Sequence, residues 1–198
     1  MPATTDILLF QWLHAGAGFR PLFDHAAVFL AEAGPWLFAV LFTMAWLRGD
    51  APCRMTLIGA AVAVAIGLLV NQLIGWWYFH PRPYMIGLCT PLFPHDPETS
   101  FPSDHATLLV AAAVYVATAA GRPGLLLSLA IVTLLTMWAR IYCGIHFPFD
   151  MLGSLAVGTA SALLVYRWRT VMEPASRSLI AVYDKTTEVL RRTVIHDP

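Results

Sequence analysis

Residues 139–150 read ARIYCGIHFPFD, a polar connection of arginine, histidine and aspartate set between two long apolar stretches. The stretch before it, about Gly124 to Ile141, holds one charged residue, Arg140. The stretch after it, about Pro148 to Trp168, holds Asp150 and Arg167. A bilayer core is crossed by about 20 mostly apolar residues in helical form. Apolar side chains lie all round both stretches rather than along one stripe, the pattern of a membrane span. Two spans joined by so polar a connection put Arg140, His146 and Asp150 at one membrane face.

Three more stretches qualify or nearly qualify: about Ala26 to Leu47, interrupted by Glu32 and Pro35, then about Met55 to Ile74, and about Asp104 to Ala120. The segment Asp6 to Phe19 is shorter and broken by His14, Gly16 and Gly18, which reads as an interfacial helix; a short or re-entrant sixth span is the alternative. Past Trp168 the period changes. Between Ala175 and Val194, Leu179, Val182, Tyr183, Thr186, Val189, Leu190 and Val194 share one face, and Arg177, Lys185, Glu188, Arg191 and Arg192 fall mostly elsewhere. This amphipathic helix suits a membrane surface, a partner chain or a solvated tail. The expected fold is therefore all-α: a polytopic membrane bundle of five or six transmembrane helices over residues 1–172, with an N-terminal interfacial helix and a helical tail over 173–198.

Composition agrees. Of 198 residues, 58% are apolar and 12% charged, where about 45–50% and about 25% are usual in soluble domains. Zero net charge removes any global electrostatic case for nucleic acid. Seven tryptophans, among them Trp12, Trp36, Trp76, Trp77 and Trp168, suit two membrane–water interfaces. Cys53, Cys89 and Cys143 are too few and scattered for a disulfide framework or a zinc site. The start, MPATTDILLFQWLH, lacks a basic n-region, so no cleavable signal peptide is expected.

Basic residues set the orientation. With five spans, one face holds Arg20, Arg82 and Arg140. The other holds Arg48, Arg54, Arg122, Arg167 and Arg169, and the tail adds Arg177, Lys185, Arg191 and Arg192. The richer face is expected to be cytoplasmic, which turns the polar loops of this multi-pass membrane protein outward. Cys89 and Cys143 would then share the oxidising side, where they could pair.

That outward face gathers HPRPY (80–84), FPSDHAT (101–107) and the 139–150 connection. Interfacial snorkelling explains any one such cluster. Three on one face point to function. Ser103 can cap the third span, directing free N–H groups at an anion. His146 lies four residues before Asp150, so the carboxylate can hold one imidazole nitrogen and leave the other free to attack. Arg82 and Arg140 offer planar forks for phosphate oxygens, and His105 is available as a general acid. Such a set makes a phosphoryl-transfer site.

Taken together, Arg82–Pro83, FPSDH and R-x5-H-x3-D from Arg140 to Asp150 resemble the type-2 phosphatidic acid phosphatase superfamily, over about Trp76 to Asp150. The wording YFHPRPY and the short chain look most like bacterial undecaprenyl-diphosphate phosphatases of the bacitracin-resistance type. The resemblance implies His146 as nucleophile through a phosphohistidine, Asp150 orienting it, His105 exchanging the proton, and Arg82, Ser103 and Arg140 binding phosphoryl oxygens. It implies no cofactor and no metal. The expected partners are the bilayer and a polyprenyl diphosphate or another phospholipid, with a homo-oligomer left open. Phosphatidate or phosphatidylglycerophosphate phosphatase activity is the alternative, and a non-catalytic lipid-binding protein the reading from another class.

Two positions depart from the family pattern. Gly75 stands where a lysine is usual, seven residues before Arg82, and the serine that often precedes the third segment's arginine is Ala139. His80 could supply some of the missing positive charge. Glu32, in the first span, reads equally as a structural hydrogen-bond partner or as a residue near the phosphates, and the resemblance favours the latter. His95, Asp96 and Glu98 lie in the loop from Met85 to Ser100, which could act as a lid; solvated polar residues are the favoured reading.

Overall fold

The computed structural model describes residues 2–119 and 122–196, with side chains as far as residue 190. Every regular element among them is helical: α1 (Thr4–His14), α2 (Pro21–Arg48), α3 (Ala51–Trp77), α4 (Asp104–Thr118), α5 (Pro123–Tyr142), α6 (Pro148–Arg167) and α7 (Arg169–His196), with one 3-10 turn at Pro83–Ile86. Helices α2, α3, α5 and α6 are long and apolar enough to cross a membrane, and α4 is a shorter apolar helix. Large apolar side chains such as Leu22, Trp36, Trp77 and Leu134 stay exposed on their outer faces. That surface is stable only against lipid. The chain is a multi-pass membrane protein.

Helix α4 is the centre of the bundle and packs on α3, α5 and α6. Small residues let its backbone come close, as membrane helices require. Ala106, Ala111 and Ala112 are fully buried. Gly59 of α3 lies against the Tyr115 ring, and Gly158 of α6 against Val110; a Cβ at Gly158 would stand 2.8 Å from Val110 Cγ1.

The depth of α4 shapes the molecule. Near its start, Asp104 and Thr107 bond Asn71 of α3, and Ser103 bonds Ser154 of α6. Asn71 is six residues before the end of α3, and Ser154 six residues after the start of α6. At 1.5 Å per residue, α4 therefore begins about 9 Å below its neighbours' ends. A recess opens above it.

Helix α1, with 11 residues, spans only about 16 Å and does not cross the bilayer. It seats on the recess end of the bundle, where buried Asp6 accepts a hydrogen bond from the Phe149 amide at 2.9 Å. Phe10 stacks on His14 and meets Phe147 edge-on.

At the far end α7 runs from the end of α6 to the start of α3. Asp184 pairs with Arg54 at 2.7 Å, and Tyr183 sits between Trp46 and the Arg54 guanidinium. The bundle-facing stripe is Ser176 and Ile180 with half-buried Met172 and Tyr183. Of the apolar face expected from the sequence, Tyr183 turns to the bundle, while Leu179, Val182, Val189 and Leu190 remain exposed. Thus α7 has a protein face beside an apolar face, an arrangement suited to a helix lying at the bilayer surface. Arg191, Arg192 and Val194 lie beyond the described side chains. Cys53, Cys89 and Cys143 are free thiols, and Cys89 Sγ points at the Gly144 carbonyl, 3.5 Å away.

Candidate active site

The 139–150 connection folds by local rules. After α5, the Gly144 amide bonds the Ile141 carbonyl and the Ile145 amide bonds the Arg140 carbonyl. This is a Schellman closure with Gly144 as its left-handed residue, φ +84°. A Cβ there would also stand 2.8 Å from Cys89 Sγ, so glycine is required twice over. The turn sends the chain back so that His146 faces Arg140. Pro148 then opens α6, and the Asp150 carboxylate caps it by accepting the Phe147 amide at 2.7 Å.

Asp150 is fully buried. Its Oδ2 also meets His146 Nδ1 at 3.3 Å and accepts a hydrogen bond from Ser100 Oγ. Its Oδ1 faces His80 Nδ1 at 3.2 Å. His146 Nδ1 is thus held on the carboxylate side, and Nε2 projects the other way. There it meets Arg82 Nη1 and Arg140 Nη2, each at 3.2 Å. Burial, reinforced by Arg140 and Arg82 and opposed by Asp150, brings the His146 pKa down to about 3. The imidazole is therefore neutral at ordinary pH, with a lone pair on Nε2.

Each arginine is fixed by backbone carbonyls. Arg82 donates to Glu98, Ile145 and Thr99 oxygens at 3.2, 3.0 and 3.2 Å. Burial lowers its pKa, and neighbouring anions pull the other way. Arg140 donates to the Ala31 carbonyl at 3.1 Å. Pro35, four residues further along α2, has no N–H for that carbonyl. The proline frees the acceptor that Arg140 uses.

Among the described residues two buried side-chain polar atoms have no partner: Arg140 Nε and Ser103 Oγ. Ser103 occupies the N-cap position of α4, but its hydroxyl makes no capping bond, contrary to the sequence expectation. Ser154 holds the Ser103 main chain instead, its hydroxyl accepting from the Ser103 amide at 2.9 Å and standing 3.0 Å from the Ser103 carbonyl. With its main chain already held, the Ser103 side chain is left over. Ser103 is itself off the wall of the cavity that its neighbours Pro102 and Asp104 line, and its buried hydroxyl keeps an unused donor.

A cavity of about 510 Å³ occupies the recess, lined in part by Arg82, His95, Glu98, Asp104, His105, Arg140 and His146. His80 is not on its wall; it is buried behind Asp150 and steadies the carboxylate. Glu32 is exposed on α2 and does not line the cavity; the neighbouring Ala31 carbonyl is the atom that reaches the site. Gly75 does line it, and a Cβ there would stand 3.1 Å from the Thr99 methyl. Ser100 escaped sequence reasoning because a serine in a polar loop carries no spacing signal. His95, expected to be solvated, is half-buried on the cavity wall.

The PAP2 superfamily model matches residues 56–172, which holds the Arg82, Ser103–His105 and Arg140–Asp150 segments. The chain belongs to the PAP2 superfamily. The undecaprenyl-diphosphatase BcrC of Bacillus subtilis (strain 168) is 31% identical over 176 residues, 89% of this chain and 90% of that protein. The putative undecaprenyl-diphosphatase YbjG of Escherichia coli (strain K12) is 31% identical over 160 residues, 80% of this chain and 79% of that one. The crystal structure of Aquifex aeolicus LpxE superposes with a TM-score of 0.69 over 83% of this chain and 96% of that chain, at 18% identity. The last likeness concerns the fold. As a PAP2 member the chain is a membrane phosphatase, and the cavity is where its polar groups converge.

Proposed function

We propose that this PAP2 phosphatase hydrolyses undecaprenyl diphosphate to undecaprenyl phosphate and inorganic phosphate, recycling a lipid carrier for cell-wall synthesis. The observation that carries the mechanism is the geometry of His146: Nδ1 against Asp150, Nε2 between Arg82 and Arg140, at the edge of a cavity that also holds His105. The substrate assignment rests on the relatives named undecaprenyl-diphosphatase. A site recessed at helix ends suits it, since a diphosphate enters the recess while its prenyl tail stays in lipid.

In the first step Nε2 attacks the terminal phosphorus, and the bond to the bridging oxygen breaks. That oxygen leaves as lipid phosphate, taking a proton from His105 where one is needed. Arg82, Arg140 and Ser103 hold the three peripheral oxygens as charge shifts among them. Asp150 keeps Nδ1–H in place and stabilises the positive charge of the phosphohistidine. In the second step His105 takes a proton from water, which attacks phosphorus; the P–N bond breaks, releasing phosphate and neutral His146.

By the distribution of basic residues, the far end with α7 is cytoplasmic and the recess opens outside the cytoplasmic membrane. Residues 1–172 form the catalytic unit and 173–198 the helical tail. The test is phosphate release by purified protein from undecaprenyl diphosphate, phosphatidate and phosphatidylglycerophosphate, with and without chelator. Undecaprenyl diphosphate is expected to be turned over best, unaffected by chelation. Preference for phosphatidate would reassign the substrate, and full activity in His146→Ala would sink the mechanism.

A further inference from the structure

The proposed chemistry gives no task to His95, an imidazole on the cavity wall. His95 is carried by the loop between the 3-10 turn and α4, and that loop is not slack at this point. The Tyr84 hydroxyl donates to the His95 and Asp96 carbonyls at 3.0 and 2.7 Å. The imidazole packs on the edge of Phe93, ring centroids 5.9 Å apart. Its other side lines the cavity with His105, His146 and the two arginines. Among the described residues neither ring nitrogen has a hydrogen-bond partner. A half-buried imidazole placed against an anion cavity with both nitrogens unused has hydrogen-bonding capacity for a ligand.

The cavity's charge distribution indicates which part of a ligand. Asp104 and Glu98 also line the wall, and Asp104 is tied to Asn71 and Gln72 of α3. Those carboxylates repel phosphate. Arg82 and Arg140 converge on His146 Nε2, so both are committed to the phosphoryl group under attack. A second phosphate, one bridging oxygen away, needs a different donor. Gly75 provides no side chain, and Thr99 crowds the space where one would begin. His95 is an uncommitted donor on the cavity wall, close enough to feel the charges of Arg82 and Arg140. Burial first, and then Arg82 and Arg140, hold its pKa down at about 4, with Asp96 opposing. It meets the ligand as a neutral N–H donor, and a bound phosphate favours its protonation.

Building on the diphosphatase reading, we propose that His95 binds the phosphate that departs with the lipid, and so selects diphosphates over phosphate monoesters. A monoester presents no second phosphate and gains nothing from His95. The residue acts on specificity through direct contact with substrate, distinct from the proton exchange assigned to His105.

The test compares full-length wild type, His95→Ala and His95→Gln in detergent. The readouts are kcat/KM for undecaprenyl diphosphate and inhibition constants for methylenediphosphonate and for inorganic phosphate. His95→Ala is expected to lower kcat/KM and weaken methylenediphosphonate by about 10-fold or more, the scale of a hydrogen bond to a charged group. Inhibition by inorganic phosphate should stay within about twofold. His95→Gln, which keeps an N–H donor, should recover part of the loss. Equal weakening of both inhibitors, or of neither, overturns the proposal, as does an unchanged kcat/KM in His95→Ala. If wild type cleaves phosphatidate but not undecaprenyl diphosphate, the diphosphatase reading falls instead.

Discussion

The two chain segments that build the recess are held in different ways. The α5–α6 connection is shaped by itself: a Schellman closure at Gly144, a proline at the start of α6, and Asp150 bonding the Phe147 amide three residues back. The loop from Tyr78 to Ser103 is shaped by what it touches. Arg82 reaches the Ile145 carbonyl 63 positions away, and Ser100 reaches Asp150 across 50. The first segment carries the proposed reacting nitrogen with Arg140 and Asp150, and the second brings Arg82 and Ser100 to it. Substitutions in the first should therefore damage chemistry, and those in the second positioning and selectivity.

The sharpest attempt to break that contrast is His146→Ala. It should reduce phosphate release by about 10⁴-fold or more, the scale seen when a covalent nucleophile is lost. An acid-labile phosphoryl label on the wild-type protein, absent from the variant, would accompany it. Asp150→Asn should cost about 10³–10⁴-fold in kcat with little change in KM, because the orienting charge is lost while Phe147 can still be capped. A loss confined to KM would contradict the proposed role. Ser100→Ala probes the loop's side of the same carboxylate. It should lower kcat by about 10-fold and destabilise the protein by about 1–3 kcal/mol, the cost of one missing partner for a buried charge. Loss as large as in Asp150→Asn would mean the two segments are not separable.

The smallest effect is on stability against pH. In the unfolded chain histidine takes up a proton near pH 6.5, whereas folded His95 and His146 resist protonation down to about 4 and about 3. Between those values the unfolded state binds more protons, so stability falls as the solution is acidified below about 6.5. Melting curves at pH 7.5 and 5 should show a smaller drop for His95→Gln than for wild type. An equal drop would mean that His95 is protonated in the folded protein.

The same contrast explains what could be read in advance. The apolar runs gave the helices to within a few residues, since lipid leaves the chain little choice. His146 and Asp150, four apart across a helix start, were legible because a local turn brings them together. Ser100 and the buried position of His80 were not, because their partner lies on a helix formed much later in the chain. The same holds for the acceptors of Arg82, which are main-chain oxygens and leave no trace in residue identity. His95 was misplaced in water for want of any signal that its loop folds inward. The apolar stripe of α7 was correctly seen, but the stripe that packs on the bundle, with Ser176 and Ile180, is too mixed to announce itself.

Pro35 sets the stability of α2 against the anchoring of Arg140. Proline inside a helix is the first residue a stabilisation screen would replace, since alanine is favoured there by about 3 kcal/mol. In α2 the exchange would restore an N–H opposite the Ala31 carbonyl and put it in competition with Arg140. A hardier helix would be bought with a looser guanidinium 109 positions away. Screens scored on melting temperature alone would select such a variant, while screens scored on turnover would reject it.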